Sequence, residues 1–158
     1  MLGLLGFDTE YFSDSFDLPT PSMPTNPLNT DGIDPAGSNI TITRVNITNF
    51  DDAIAVKPSS GRFVVAKDGC TQDIHVSDMN IKFGVGMSIG SVPPKWDHNC
   101  IRRVTFKNIT FEYPLKAIYV KTNPMHSGVT NESGEITDIL YEDIKIHFPI
   151  WWNIYIGP

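Results

Sequence analysis

Four copies of one apolar pattern constrain what this chain can fold into. The pattern apolar-x-apolar-x-x-apolar-x-apolar runs through Ile40, Ile42, Val45 and Ile47, then through Ile74, Val76, Met79 and Ile81. It returns as Val104, Phe106, Ile109 and Phe111, and as Ile139, Tyr141, Ile144 and Ile146, at steps of 34, 30 and 35 residues. Each copy is two stretches of period-two alternation separated by one extra residue: Arg44, Asp78, Asn108 or Asp143. The phase break there predicts a sharp bend between two short strands. A third alternating stretch follows each copy, as Ile54/Val56, Met87/Ile89, Ile118/Val120 and Ile154/Ile156. Three short strands per repeat, with loops of variable length after the third, predict the coils of a parallel β-helix, about five of them. A helical reading would need apolar residues three and four apart. An antiparallel sandwich gives no reason for a register that persists through four copies.

Composition agrees with a β fold and narrows the partners. Twelve Gly and twelve Pro supply frequent turns, and 41% hydrophobic residues suffice for a core. A net charge of −6 argues against a nucleic-acid partner. It leaves room for an anionic sugar polymer held by a few local Lys or Arg. No apolar run approaches the roughly 18–20 residues of a membrane span, so no membrane partner is expected. The opening residues Met1 to Phe7 lack a basic start and run into acidic ones, so they do not read as a signal peptide. Residues 1–27, with Pro19, Pro21 and Pro24, read as an irregular segment, and 28–158 as one β-helix domain.

Four Asn-x-Ser/Thr sequons, at Asn39, Asn46, Asn108 and Asn131, suit a secreted, extracellular protein as glycosylation candidates. Asn-x-Thr also arises wherever turns alternate with strands. Cys70 and Cys100 each stand four residues before equivalent positions, Ile74 and Val104. Neighbouring coils lie about 4.8 Å apart, within reach of a disulfide. Secretion would favour the bond; two buried thiols stacked in a ladder are the alternative. No metal-ligand spacing is present, and neither a metal nor a cofactor is expected.

The chemistry-bearing stretch is Asn29-Thr30-Asp31-Gly32-Ile33, answered 21 residues later by Phe50-Asp51-Asp52-Ala53-Ile54. Placing Ile33 and Ile54 in register brings Asp31, Asp51 and Asp52 together, and clustered carboxylates are what acid/base hydrolysis of a glycosidic bond needs. Asp51 and Asp52 cannot both point outward from a flat strand, so they are expected in a bend just after Phe50. Beside them on the outer face fall Lys57, Ser88, Gly90, Tyr119, Lys121, Asn153 and Tyr155. Acids, lysines and aromatic rings on one face suit an acidic carbohydrate. Each element alone has a bland reading: paired Asp residues at turns are usually solvated, and Asn-Thr-Asp-Gly is an ordinary turn. His75, His98, His126 and His147 fall outside the site by register. Gly84-x-Gly86, without a helix after it, is no phosphate loop.

Four blocks in order resemble the polygalacturonases, family 28 of the glycoside hydrolases. Asn29-Thr30-Asp31, Asp51-Asp52, Gly84-Val85-Gly86 and Tyr119-Val120-Lys121 stand where that family reads N-T-D, D-D, G-H-G and R-I-K. The resemblance implies an all-β, right-handed single-stranded parallel β-helix of the pectin-lyase-like type, acting as a monomer without cofactors. It implies inverting hydrolysis of α-1,4-galacturonosyl bonds in pectin or polygalacturonate. Asp51 would be the general acid, and Asp31 and Asp52 would hold and deprotonate the attacking water. Lys121, with Tyr119 and Lys57, would bind substrate. Val85 stands where the family has His, and Tyr119 where it has Arg; a branch of the family carries a Y-V-K fourth block. Two other readings remain beside this one. One is a β-helix that binds acidic polysaccharide without cleaving it; the other is a related hydrolase of decorated or rhamnose-containing pectin. The family also carries several coils before the N-T-D block, so the chain is expected to be the C-terminal part of a longer member.

Overall fold

The computed structural model describes residues 29–59, 70–93, 99–122 and 133–158. The segment 1–27, the sequon at Asn131, and Trp96, His98 and His126 lie outside or mostly outside these residues, and the structure is silent on them. Among the described residues nine strands run β1 (Ser38–Thr43), β2 (Asn46–Thr48), β3 (Asp52–Val56), β4 (Cys70–Lys82), β5 (Gly86–Val92), β6 (Asn99–Glu112), β7 (Lys116–Thr122), β8 (Gly134–His147) and β9 (Trp152–Gly157). They form two sheets. One has the order β1-β4-β6-β8 with β2 beside β4, and the other is β3-β5-β7-β9. Every pairing between them is parallel, so the chain climbs rung on rung, giving one strand to each sheet in turn. Among the described residues no helix is long and apolar enough to cross a membrane.

The rungs stack in the register of the sequence repeat. Ile40 pairs with Ile74, Ile74 with Val104 and Val104 with Ile139. In the second sheet Ile54 pairs with Met87, Met87 with Ile118 and Ile118 with Ile154. Like therefore lies over like, and the inward residues of both sheets meet in one core. Phe106, Phe111, Ile54, Ile74, Met79, Ile81, Met87 and Ile89 have almost no exposed surface. On β9, which has one neighbouring strand among the described residues, the inward-parity Ile154 and Ile156 are 60% and 70% exposed.

The bends differ from the sequence expectation. Two short strands with a break between them are found only in the first copy, as β1 and β2; in the others a single strand of 13 or 14 residues runs through. The extra residue is absorbed instead by a left-handed backbone at Arg44, Asp78, Asn108 and Asp143, with φ between 52° and 57°. One such residue turns the strand without ending its ladder. A second left-handed column, Asn39, Asp73, Arg103 and Asp138, precedes each copy. Both columns are tied outside the core. Arg103 Nε donates to Asp73 Oδ1 at 2.7 Å, and Asn108 Nδ2 donates to Asp78 Oδ1 at 2.8 Å. Where the first sheet turns into the second, Phe50, Phe83, Tyr113 and Phe148 form an external ladder of rings, with centroids 5.2–6.1 Å apart.

Cys70 and Cys100 are directly opposite each other on β4 and β6 and are joined as a disulfide, Cα to Cα 4.6 Å. The bond ties two rungs across 30 residues of chain. The three sequon asparagines among the described residues, Asn39, Asn46 and Asn108, are all exposed. Asn108 spends its amide on Asp78, and Asn46 Oδ1 accepts from Asn80.

Candidate active site

The segment 31–35 lies along β3 as the rung before it. Gly32 N donates to Asp52 O at 2.9 Å, Ile33 N to Ala53 O at 3.1 Å and Ala55 N to Ile33 O at 3.0 Å, around a parallel bridge between Ile33 and Ile54. Asp31 and Asp52 thereby meet across one rung step. Asp51 lies in the bend before β3, and the ladder from β3 to β5 shifts register between Asp52 and Ile54. This irregularity lets two consecutive acids serve one place. One carboxylate oxygen from each of Asp31, Asp51 and Asp52 lies within 4.8 Å of the others.

Asn49 holds this corner. Its Nδ2 donates to the carbonyls of Thr30, Asp51 and Asp52 at 3.0, 3.0 and 2.8 Å, so one buried amide ties together both acid-bearing segments. Asp51 is oriented by backbone donors: Asn29 N reaches its Oδ2 at 2.9 Å and Asp52 N its Oδ1 at 2.8 Å. The third block closes the corner from the next rung. Val85 N donates to Asp51 O at 2.9 Å. A Cβ on Gly84 would stand 2.5 Å from Asp51 O, and one on Gly86 2.1 Å from Ala117 O. With φ of +71° and +80°, both positions need glycine for fit and for backbone conformation. The Gly-x-Gly spacing thus serves close rung packing beside the acids.

Asp52 is fully buried, where the sequence placed it on the outer face, in a bend that breaks the strand alternation. Its Oδ1 accepts from Ser88 Oγ at 2.5 Å, and its Oδ2 is bonded by Lys121 Nζ from two rungs away. Burial pushes the Asp52 carboxyl above the usual carboxylate range; the bonds from Lys121 and Ser88 pull it down, and the charge of Asp51 adds to the rise. A carboxylate with a raised proton affinity that is still steadied by a cation is suited to accepting a proton.

Lys57 does not reach the trio. It faces Asp34 at 3.7 Å, and Asp34 is itself held up chiefly by burial, against the pull of Lys57 and with a push from Asp31. Tyr119 flanks Lys121, whose Nζ lies 5.0 Å from the ring centre. Tyr119 also meets Tyr155 edge-on at 5.3 Å, and Tyr155 stacks on Trp152 at 4.6 Å. Ser88 stands on the outer face as its register implies, but its bond to Asp52 was not legible, and two further contributors were not legible as site residues. Asn49 carries no sequence signal beyond its place before the acids. Lys116, at the start of β7, occupies an inward parity yet brings its ammonium to the rings of Tyr119 and Tyr155.

The three carboxylates would suit a hard cation by donor type, although Asp52 already has Lys121 as its counter-charge. A hollow of about 250 Å³ over β2, β4 and β6, with Thr48, Asn80, Lys82, Thr110 and Glu112 in its wall, is lined by none of the three acids.

Comparison with known proteins gives the family. The sequence profile of the glycosyl hydrolases family 28 matches residues 15–154. An exopolygalacturonase of Platanus acerifolia is 30% identical over 129 residues, covering 81% of this chain and 30% of that protein. A polygalacturonase of Cochliobolus carbonum is 32% identical over 119 residues, 75% of this chain and 28% of that protein. Endo-xylogalacturonan hydrolase A of Aspergillus tubingensis is 31% identical over 121 residues, 76% of this chain and 26% of that protein. The chain thus spans less than a third of the length of these relatives. No solved structure matches it significantly. With the profile covering nearly its whole length, the chain belongs to family 28 of the glycosyl hydrolases.

Proposed function

We propose that this chain carries the catalytic corner of a secreted, extracellular hydrolase that cleaves α-1,4-galacturonosyl bonds of pectin or polygalacturonate with inversion. The scaffold in this reading is a right-handed parallel β-helix of about five coils, with 28–158 as one domain. The observation that carries the reading is the meeting of Asp31, Asp51 and Asp52, with Asp52 buried between Ser88 and Lys121. Names of similar proteins, exopolygalacturonase and polygalacturonase among them, support the substrate class.

In this mechanism Asp51, in the bend and partly exposed, donates a proton to the leaving glycosidic oxygen. Asp31 and Asp52 hold a water on the opposite side and take its proton. Lys121 keeps Asp52 ionised between turnovers, and its remaining N–H donors face the substrate carboxylate. The ring of Tyr119 offers a surface for a sugar, and Lys57 with Asp34 forms the outer margin.

Release of reducing ends from polygalacturonic acid by the purified chain, measured beside Asp51→Asn, tests the proposal. Release by the parent alone supports it; an Asp51→Asn protein as active as the parent removes Asp51 from the chemistry. The short separation of the acids favours a second reading of the stereochemistry. Carboxyl groups about 5 Å apart usually go with a covalent intermediate and retention. NMR of the first-formed anomer decides: the inverted anomer supports a water held by Asp31 and Asp52, and the retained one makes a carboxylate the nucleophile.

A further inference from the structure

A second cation stands behind Tyr119, and nothing among the described residues neutralises it. Lys116 is 4% exposed, yet no carboxylate lies within ion-pair distance and no hydrogen-bond acceptor meets its ammonium among the described residues. Its Nζ sits 3.8 Å from the centre of the Tyr119 ring, 4.2 Å from that of Tyr155 and 5.6 Å from that of Trp152. Ring faces attract an ammonium, but they do not accept its three N–H bonds as an oxyanion does. The side chain is almost wholly covered but Nζ is not sealed from water, so an anion can reach a charge that is part-desolvated and has no anionic partner in contact among the described residues.

Lys121 approaches the same Tyr119 ring, at 5.0 Å, but its charge is already met by Asp52. The two lysines therefore flank one ring and differ in what they lack. Burial, and after it the charge of Lys121, pushes the Lys116 ammonium below the usual lysine range, with Asp52 opposing. An incoming anion would relieve both. On the side of β9 the wall of the box is Tyr155 and Trp152, on the least covered rung; Trp152 is 38% exposed.

We infer that Lys116, boxed by Tyr119, Tyr155 and Trp152, is a specificity-determining residue that binds a uronate carboxylate of the polymer, while the aromatic rings pack on the sugar. This deepens the proposed function and rests on it. It makes recognition depend on a free carboxylate at one defined place, so methyl-esterified residues should be disfavoured there.

The test uses the full chain, Lys116→Met and Lys116→Arg, with trigalacturonate and its fully methyl-esterified form as ligands. Binding is followed by calorimetry, and turnover by KM and kcat on polygalacturonate. Methionine keeps the length of the side chain and its contact with the rings while removing the charge. Lys116→Met is expected to weaken trigalacturonate binding and raise KM by ten- to a hundredfold, with kcat changed less than about threefold. Affinity for the methyl ester should change little, and Lys116→Arg should recover most of the loss. Parent-like affinity and ester discrimination in a folded Lys116→Met overturn the assignment, as does equal weakening toward both ligands, which marks a packing role. A parent chain that neither binds nor cleaves either ligand overturns the functional reading beneath it, and this inference with it.

Discussion

At the scale of single residues, Asp52 concentrates the electrostatics of the corner. Burial raises its proton affinity while Lys121 and Ser88 oppose the rise. Removing the opposing cation should let burial win: Lys121→Met is expected to move the acidic limb of the kcat/KM profile on polygalacturonate to higher pH. A limb that stays in place would mean that Asp52 is not the base whose ionisation is being read. Stability gives an independent measurement. A carboxyl whose folded pKa is raised above its ordinary 3.8 binds its proton more tightly in the folded state. Its stabilisation is complete below the unfolded value and is lost as pH rises through the folded one. The side chain of Asp52→Asn does not titrate. The melting temperature of the variant relative to the parent should therefore shift in the variant's favour between about pH 3 and about pH 7. The three acids were legible because register is a sequence property. The burial of Asp52 was not: spacing does not tell that Ser88 from the next rung and Lys121 from the one beyond it reach in to enclose it.

At the scale of elements, the repeat specified almost everything about pairing and missed how the strands bend. Ile40, Ile74, Val104 and Ile139 stack as their spacing implies, since only one register keeps each apolar set inside. The extra residue in each copy looked like a break between strands. It is a left-handed residue inside a continuous one, and Asp78 and Asn108 accept that conformation while bonding to each other. Gly84-x-Gly86 has its meaning at this scale too, because neighbouring rungs approach too closely there for a side chain. Gly86→Ala should cost at least about 2 kcal/mol, combining a left-handed backbone with a Cβ 2.1 Å from a carbonyl. Urea unfolding measures it, and a loss within a few tenths of a kcal/mol would show that the rungs can separate cheaply. Inside the core, Phe106 stacks on Tyr141 at 4.7 Å with no exposed surface. Phe106→Ala should cost about 3–5 kcal/mol by the same measurement.

For the molecule as a whole, stacked rungs make stability a sum of neighbour interfaces, so it varies along the stack. The middle rungs, β4 to β7, are covered from both sides, and their inward residues are sealed. The disulfide between Cys70 and Cys100 adds a cross-link over 30 residues, which in the loop-entropy account is worth about 3–4 kcal/mol. It joins β4 to β6 and leaves β8 and β9 held by their ladders and packing without a cross-link. Among the described residues those two strands have one neighbouring rung each, and β9 carries Ile154 and Ile156 largely in solvent. Local opening should therefore start at β8 and β9, and global unfolding alone should expose the amides of β4 and β6. Hydrogen exchange read by mass spectrometry is expected to give protection that falls from β4 and β6 toward β9. Replacing both cysteines with alanine should lower protection in the middle rungs and leave that of β9 nearly unchanged. Equal protection along all rungs would mean that the stack opens as one unit. Tyr155 and Trp152 belong to the strand that opens first, so one wall of the box around Lys116 lies on the least stable rung. A trigalacturonate that binds there should raise the protection of β9 more than that of any other strand.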